Sequence, residues 1–224
     1  MARPVDHAQH QKMALQAFEV IRRGRFGDLT MARLAKEIGV KRSTLYWYFG
    51  NLGELFDAVI EHVLQEQGMA VAEAVDQHRH PVDKIIAWIR SVHHYHLADP
   101  KLLPNLIQLW AVSHPDQPER ALTTAVARYE PLREAAIELL HQGVHEGLVA
   151  PCDSAAIIDL CSAVIDGGLV HFVGRGVSPE HMVDQFVRLV LTPLKLKGVS
   201  PNAQPNPVWS KPTSGRADAW LEED

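Results

Sequence analysis

The chain has 224 residues, 46% of them hydrophobic and 22% charged, which suits one large or two small globular domains and excludes a disordered or fibrous protein. Its net charge of −5 taken alone argues against nucleic acid, but the charge is unevenly spread. Residues 1–56 hold nine Lys/Arg against five Asp/Glu, a net of +4, and the remainder thirteen against twenty-two, a net of −9; a basic amino-terminal quarter on an acidic body is the asymmetry expected of a small module that meets phosphates.

Strand patterns are almost absent, and the 3.6-residue period recurs nearly throughout. Ala14, Ala17, Phe18 and Ile21 fall on one side of a first helix, which breaks at RRGRFGD, residues 22–28, where Gly24 and Gly27 are stop signals. Thr30 is placed to cap a second helix, whose apolar stripe is Met31, Leu34, Ala35 and Ile38. Gly39 ends that helix, and a third, short one buries Val40, Leu45 and Phe49. A longer helix follows to about residue 75, carrying Leu52, Leu55, Phe56, Val59 and Val63.

Pro81 opens the next helix, with Val82, Ile85, Ile86, Ile89 and Val92 facing inward. Asp99-Pro100 leads into KLLPNLIQLW, HPDQP (114–118) reads as a loop, and a long helix spans about 119–147. Asp153 or Ser154 starts a helix whose apolar face is expected at Ile157, Leu160, Cys161, Val164 and Leu169. A last helix follows Ser178, and residues 198–224 read as a Pro-rich flexible tail. The expected fold is all-α, with nine or ten helices. Its divisions are an amino-terminal helical module over 1–51, a larger helical domain over 52–197, and the tail.

The stretch KRSTLYWYF, residues 41–49, gives the functional signal. Helix, glycine turn and helix over residues 30–49 form a helix-turn-helix, whose second helix fits the ~12 Å major groove of DNA. With Val40, Leu45 and Phe49 inward, Arg42, Ser43, Tyr46 and Trp47 face outward, and Lys41 and Thr44 flank them. Arg and Lys donate to guanine edges or phosphates, hydroxyls bond to either, and phenols reach phosphate. Thr30 at a helix amino terminus is suited to a phosphate. Tyr48, beside Phe49, divides evenly between core and DNA. The candidate DNA-binding set is therefore Thr30, Lys41, Arg42, Ser43, Thr44, Tyr46, Trp47 and Tyr48.

Residues 12–56 resemble the amino-terminal domain of the tetracycline-repressor (TetR) family of bacterial transcription regulators. The resemblance lies in Gly24 to Phe26, Thr30, Leu34-Ala35, Gly39-Val40, Thr44-Leu45-Tyr46, Phe49 and Leu55. It implies operator DNA as partner, a small-molecule inducer, and a homodimer. Two departures stand out: the family usually has Lys where Leu52 stands and an acidic residue where Gly53 stands, so one phosphate contact is missing. Residues 133–151 and 154–173 resemble the family's last paired helices, which dimerise. The expected interface residues are Leu140, Ala156, Leu160, Ala163, Val164, Gly167 and Gly168. The middle helices are expected to enclose a ligand, with His93, Tyr95, His96 and Trp110 lining the pocket.

Thirteen histidines invite a metal reading, at His93, His94 and His96 or at His141 and His145, but no cysteine or carboxylate motif completes a shell. Cys152 and Cys161 read as idle thiols in a reducing cytoplasm. No apolar run approaches the roughly 18 residues that span a bilayer, and residues 1–10 hold no secretory signal. No nucleophile elbow, phosphate loop or HExxH occurs. No catalytic residue, metal, cofactor or membrane partner is therefore expected. The expected function is a ligand-responsive regulator released from a palindromic operator. The alternative is a helical small-molecule sensing protein with a weakened DNA module, for which Leu52 is the supporting feature.

Overall fold

In a computed structural model, residues 6–23, 29–113 and 118–196 are described, without the side chains of 109–126 and 128. The described residues are helical, and their one β-type pairing is an isolated antiparallel bridge between Val149 and Lys195. The helices are α1 (His7–Arg22), α2 (Met31–Glu37), α3 (Arg42–Tyr48), α4 (Leu52–Asp76), α5 (Pro81–Ala98) and α6 (Leu102–Ser113). They continue with α7 (Pro118–His145), α8 (Ser154–Arg175), α9 (Glu180–Phe186), a π-helical turn (Val187–Leu191) and α10 (Thr192–Leu194). Contacts group the chain into two units, Met1–Leu64 with His96–Glu130, and Gln65–Tyr95 with Pro131–Asp224. The division follows packing rather than chain order, so α4, α5 and α7 each contribute residues to both.

In the first unit, α1 is capped by Asp6, whose carboxylate accepts from the Ala8 and Gln9 amides at 3.1 and 3.2 Å. Its stripe, Met13, Ala14, Ala17, Phe18 and Ile21, is buried as the spacing requires. Thr30 Oγ1 accepts from the Arg33 amide at 3.2 Å and starts α2. Gly39 closes that helix at φ +75°, a left-handed turn that glycine enters cheaply. Leu45 and Phe49 anchor α3 in the core with Leu34, Phe56 and Val59, whereas Val40 is only half-buried. At the far end of α1, Asn105 of α6 donates to the Ile21 and Arg22 carbonyls at 3.3 and 3.2 Å. Arg22 pairs with Asp99, whose carboxylate also caps the turn into α6 through the Lys101 amide, 3.2 Å away. The stop signals at residues 24–27 and the tail from 198 lie outside the described residues.

In the second unit the α5 stripe of Val82, Ile85, Ile89 and Val92 is buried. His80 sets its start: Nδ1 accepts from the Val82 amide at 3.1 Å, so the proton sits on Nε2, which faces the carbonyls of Leu148 and Leu196 at 3.1 and 3.3 Å. One imidazole thus caps α5 and ties together the two segments that form the Val149–Lys195 bridge. Gly143 of α7 admits Val149 and Pro81 against its backbone. Asp153 caps α8 through the Ala156 amide, 3.1 Å away. Burial pushes the Cys161 thiol up to about 12, so it stays protonated and inert.

The face of α8 departs from expectation. Its core side is Ser154, Ile158, Cys161, Ile165, Gly168 and Leu169, whereas Leu160 is 50% exposed and Ile157 and Val164 are half-buried. The helix is apolar nearly all round, so the 3.6-residue period selects no single face. For the same reason an 18-residue window reaches a mean hydropathy of 1.7, enough by length and composition to cross a membrane, although Asp159 and Asp166 break the run. In this unit Asp159 pairs with Arg133 of α7 at 2.7 Å.

Candidate nucleic-acid interface

The structure brings the outward residues of α3 together. Lys41, Arg42 and Ser43 are exposed at its start, and Tyr46 and Trp47, 41% and 48% exposed, continue the same side one turn on. The cause is local: Leu45 and Phe49, four apart, take the inward side, which leaves positions 42, 43, 46 and 47 to solvent. Thr44 and Tyr48 are half-buried at the edges of that face. Thr30, exposed, spends one hydroxyl lone pair as the α2 cap, which leaves its O–H free to donate and a second lone pair free to accept.

Two contacts organise the face. The Arg42 guanidinium carbon stands 5.3 Å from the Tyr46 ring centre, a cation–π distance. Its Nη2 reaches the Tyr46 hydroxyl at 3.5 Å, long for a hydrogen bond. Trp47 meets Tyr48 edge to face, with ring centres 4.7 Å apart and planes at 89°. Neither pairing consumes all the guanidinium or phenol valences, so both remain available to bases or phosphates.

Behind α3 the turn into α4 is closed by its own side chains. Asn51 Oδ1 accepts from the Glu54 amide at 3.0 Å, and Glu54 accepts from the Gly50 amide at 2.8 Å and from Asn51 Nδ2 at 2.9 Å. This reciprocal cap fixes the exit of the recognition helix. The Glu54 carboxylate thus takes the Gly50 amide just before α4 and the Asn51 side chain, and Leu52 at the helix start is half-buried and uncharged.

Further cations line a cleft of the same unit. A cleft of about 240 Å³ between α1 and α2 is lined by Val20, Arg23, Leu29, Arg33 and Glu37, with Arg33 3.8 Å from Glu37. Arg23 reads as part of a turn in the sequence, but the fold sets it on this cleft with Arg33 of α2, whereas its neighbour Arg22 pairs with Asp99.

The other candidates divide between the two units. His93 is buried in the second unit, its Nε2 donating to the Ile165 carbonyl at 3.1 Å. Desolvation holds its basicity below the ordinary value. Tyr95 belongs to the same unit and donates to Glu66 at 3.2 Å. His96 is buried in the first unit, and the Trp110 side chain lies outside the described residues. Of the dimer candidates, Ala156, Leu160 and Ala163 are exposed and Val164 and Gly167 half-exposed. Leu140 and Gly168 correct the expectation. Leu140 is fully buried, and an added Cβ on Gly168 would meet His93 Nε2 at 2.5 Å, so both serve packing within their own chain. Among the described residues, no three or more His, Cys, Asp or Glu stand close enough to share a metal ion.

Comparison with known proteins matches the segment that carries this face. Residues 16–59 match the family described as bacterial regulatory proteins, tetR family. Over 71 residues the chain is 37% identical to the HTH-type transcriptional repressor SCO4008 of Streptomyces coelicolor, covering 32% of this chain and 33% of that one. Over 35 residues it is 51% identical to the nucleoid occlusion factor SlmA of Haemophilus influenzae, covering 16% of each. The matches thus span about a third or less of the relatives' length. Among solved structures, a TetR transcription regulator from Haloarcula marismortui superposes with a TM-score of 0.70 at 18% identity, over 84% of this chain and 100% of that chain. The fold therefore extends well beyond the helix-turn-helix.

Proposed function

Because the chain belongs, through residues 16–59, to the tetR family of bacterial regulatory proteins, we propose that it is a DNA-binding transcriptional repressor. It acts in the cytoplasm as a homodimer and leaves a palindromic operator when a small molecule binds. The observation that carries the reading is the outward face of α3, where Arg42, Ser43, Tyr46 and Trp47 stand exposed on a helix anchored by Leu45 and Phe49. One such helix reads too few bases for specificity. Two of them, about 34–36 Å apart, read a palindrome. The exposed side of α8, with Ala156, Leu160 and Ala163, supplies an apolar surface for the second copy.

The small molecule is proposed to bind within the helical body, where His93 is engaged in packing. A ligand shifts the DNA equilibrium only through unequal affinity for the bound and released states. The α4 helix, whose residues to Leu64 count with the first unit and those from Gln65 with the second, is the proposed carrier of that change.

A second reading has one specific feature in its favour. The amino end of α4 offers Leu52 in place of a cation and a Glu54 carboxylate on the Gly50 amide, as expected of a sensing protein whose DNA grip has weakened. Gel shift against the DNA flanking the gene, across a salt series, separates the two. A regulator shows affinity that falls steeply with salt, by ~0.9 in the log–log slope per phosphate contact. A sensing protein with a decayed module shows no salt-sensitive binding.

A further inference from the structure

We propose that His10 is a positioning residue for DNA recognition: from α1 it backs the last turn of α3 and, through Tyr48, fixes the pose of Trp47 on the outward face. The inference rests on the DNA-binding reading and extends it to a residue outside the helix-turn-helix. The His10 ring centre lies 4.4 Å from that of Phe49 and 6.5 Å from that of Tyr48, with planes tilted by 39° and 58°. Phe49 is buried and ends α3, its amide donating to the Leu45 carbonyl at 2.9 Å. Tyr48 in turn meets Trp47 edge to face. The imidazole therefore packs on the residue that terminates the recognition helix and stands within ring-pairing range of the tyrosine that supports its largest exposed side chain.

An exposed indole with two free torsions samples several rotamers. A supporting ring removes some of them before DNA arrives and so lowers the ordering cost of binding. The titratable groups around His10 are His7 on its own helix, Glu61 on α4 and the Tyr48 phenol. Partial burial and His7 lower the imidazole's proton affinity, with Glu61 opposing. At neutral pH it acts as an uncharged aromatic wedge.

The test uses the full chain labelled with 5-fluorotryptophan, the Trp47 signal being assigned by Trp47→Phe, together with duplexes selected from a random pool by the parent. In His10→Ala the Trp47 fluorine signal moves toward its solvent-exposed position. The ratio of selected to random duplex affinity falls about tenfold, while the salt slope on random duplex stays at the parent value. His10→Phe restores both the signal and the ratio. Tyr48→Leu, which breaks the chain of rings at its middle, gives the same losses and decides the matter if His10→Ala does not fold. An unmoved Trp47 signal, or an unchanged affinity ratio in a folded His10→Ala, overturns the proposal. A parent that prefers no duplex removes the DNA reading and this role together, and the fluorine spectrum then separately shows whether the rings are coupled.

Discussion

The guanidinium of Arg42 lies 5.3 Å from the centre of the Tyr46 ring, one helical turn away, and both side chains point out of the protein. The pairing holds a long, flexible cation in one place, which reduces the entropy lost when it meets a base or a phosphate. It also means that removing Tyr46 disturbs Arg42. The two should be read as one unit rather than as two independent contacts.

The turn into α4 predicts a gain of function. Leu52→Lys adds a cation at the helix start, where the DNA backbone would pass. Affinity for operator DNA should rise, and the log–log salt slope should steepen by ~0.9. Fluorescence anisotropy over a salt series measures both. An unchanged slope would mean that this end of α4 does not face phosphate.

Acid should destabilise the fold. Burial holds both His93 and the half-buried His10 below their ordinary value of 6.5. The unfolded chain then takes up protons near pH 6.5, before the folded chain does. Stability is complete above that value and declines as pH falls toward the lowered ones. Melting temperatures at pH 7.5 and 5.5 should differ in that direction, and by less in His93→Gln. A melting temperature that climbs on acidification would contradict the account.

Two glycines should respond in opposite ways to the same substitution. At Gly168 a Cβ would stand 2.5 Å from His93 Nε2 and 2.9 Å from both Met182 Cε and Pro179 Cβ. Gly168→Ala should cost about 1–3 kcal/mol by overpacking. Gly68, in α4, has open space around the same position, so Gly68→Ala should stabilise by about 0.5–1 kcal/mol through helix propensity. Urea denaturation distinguishes them, and two changes of the same sign would be wrong for this packing.

The exposed side of α8 predicts the assembly. Leu160→Asp places a charge on a half-exposed position without touching the core, so the chain should remain folded but run as a monomer. Light scattering with size exclusion reads the mass directly. A Leu160→Asp chain still dimeric would move the interface elsewhere.

Local chemistry made much of the DNA module legible in the sequence. The α1 stripe, the Thr30 cap, the Gly39 turn and the outward side of α3 all depend on residues within four positions of one another, and periodicity reports on that range. Contacts between distant segments left no such trace. His80 capping α5 while reaching Leu148 and Leu196, and Asn105 gripping the end of α1, join residues 68 to 116 positions apart. The facing of α8 is not legible in the sequence because apolar residues occupy both its sides, so Ile157-Leu160-Val164 and Ile158-Cys161-Ile165 fit the same period. The packing of Leu140 and Gly168 is illegible for a related reason: size and hydropathy do not say whether a helix face packs on its own chain or on a copy.

The most direct test is the affinity of operator DNA for the chain and for its Arg42→Ala, Tyr46→Ala double variant. Both side chains are exposed, so the double variant should melt like the parent. It should lose at least about 1–3 kcal/mol of binding, roughly five- to 150-fold, and show a shallower salt slope. A folded double variant that binds with the parent's affinity and salt dependence would show that this face of α3 does not read DNA.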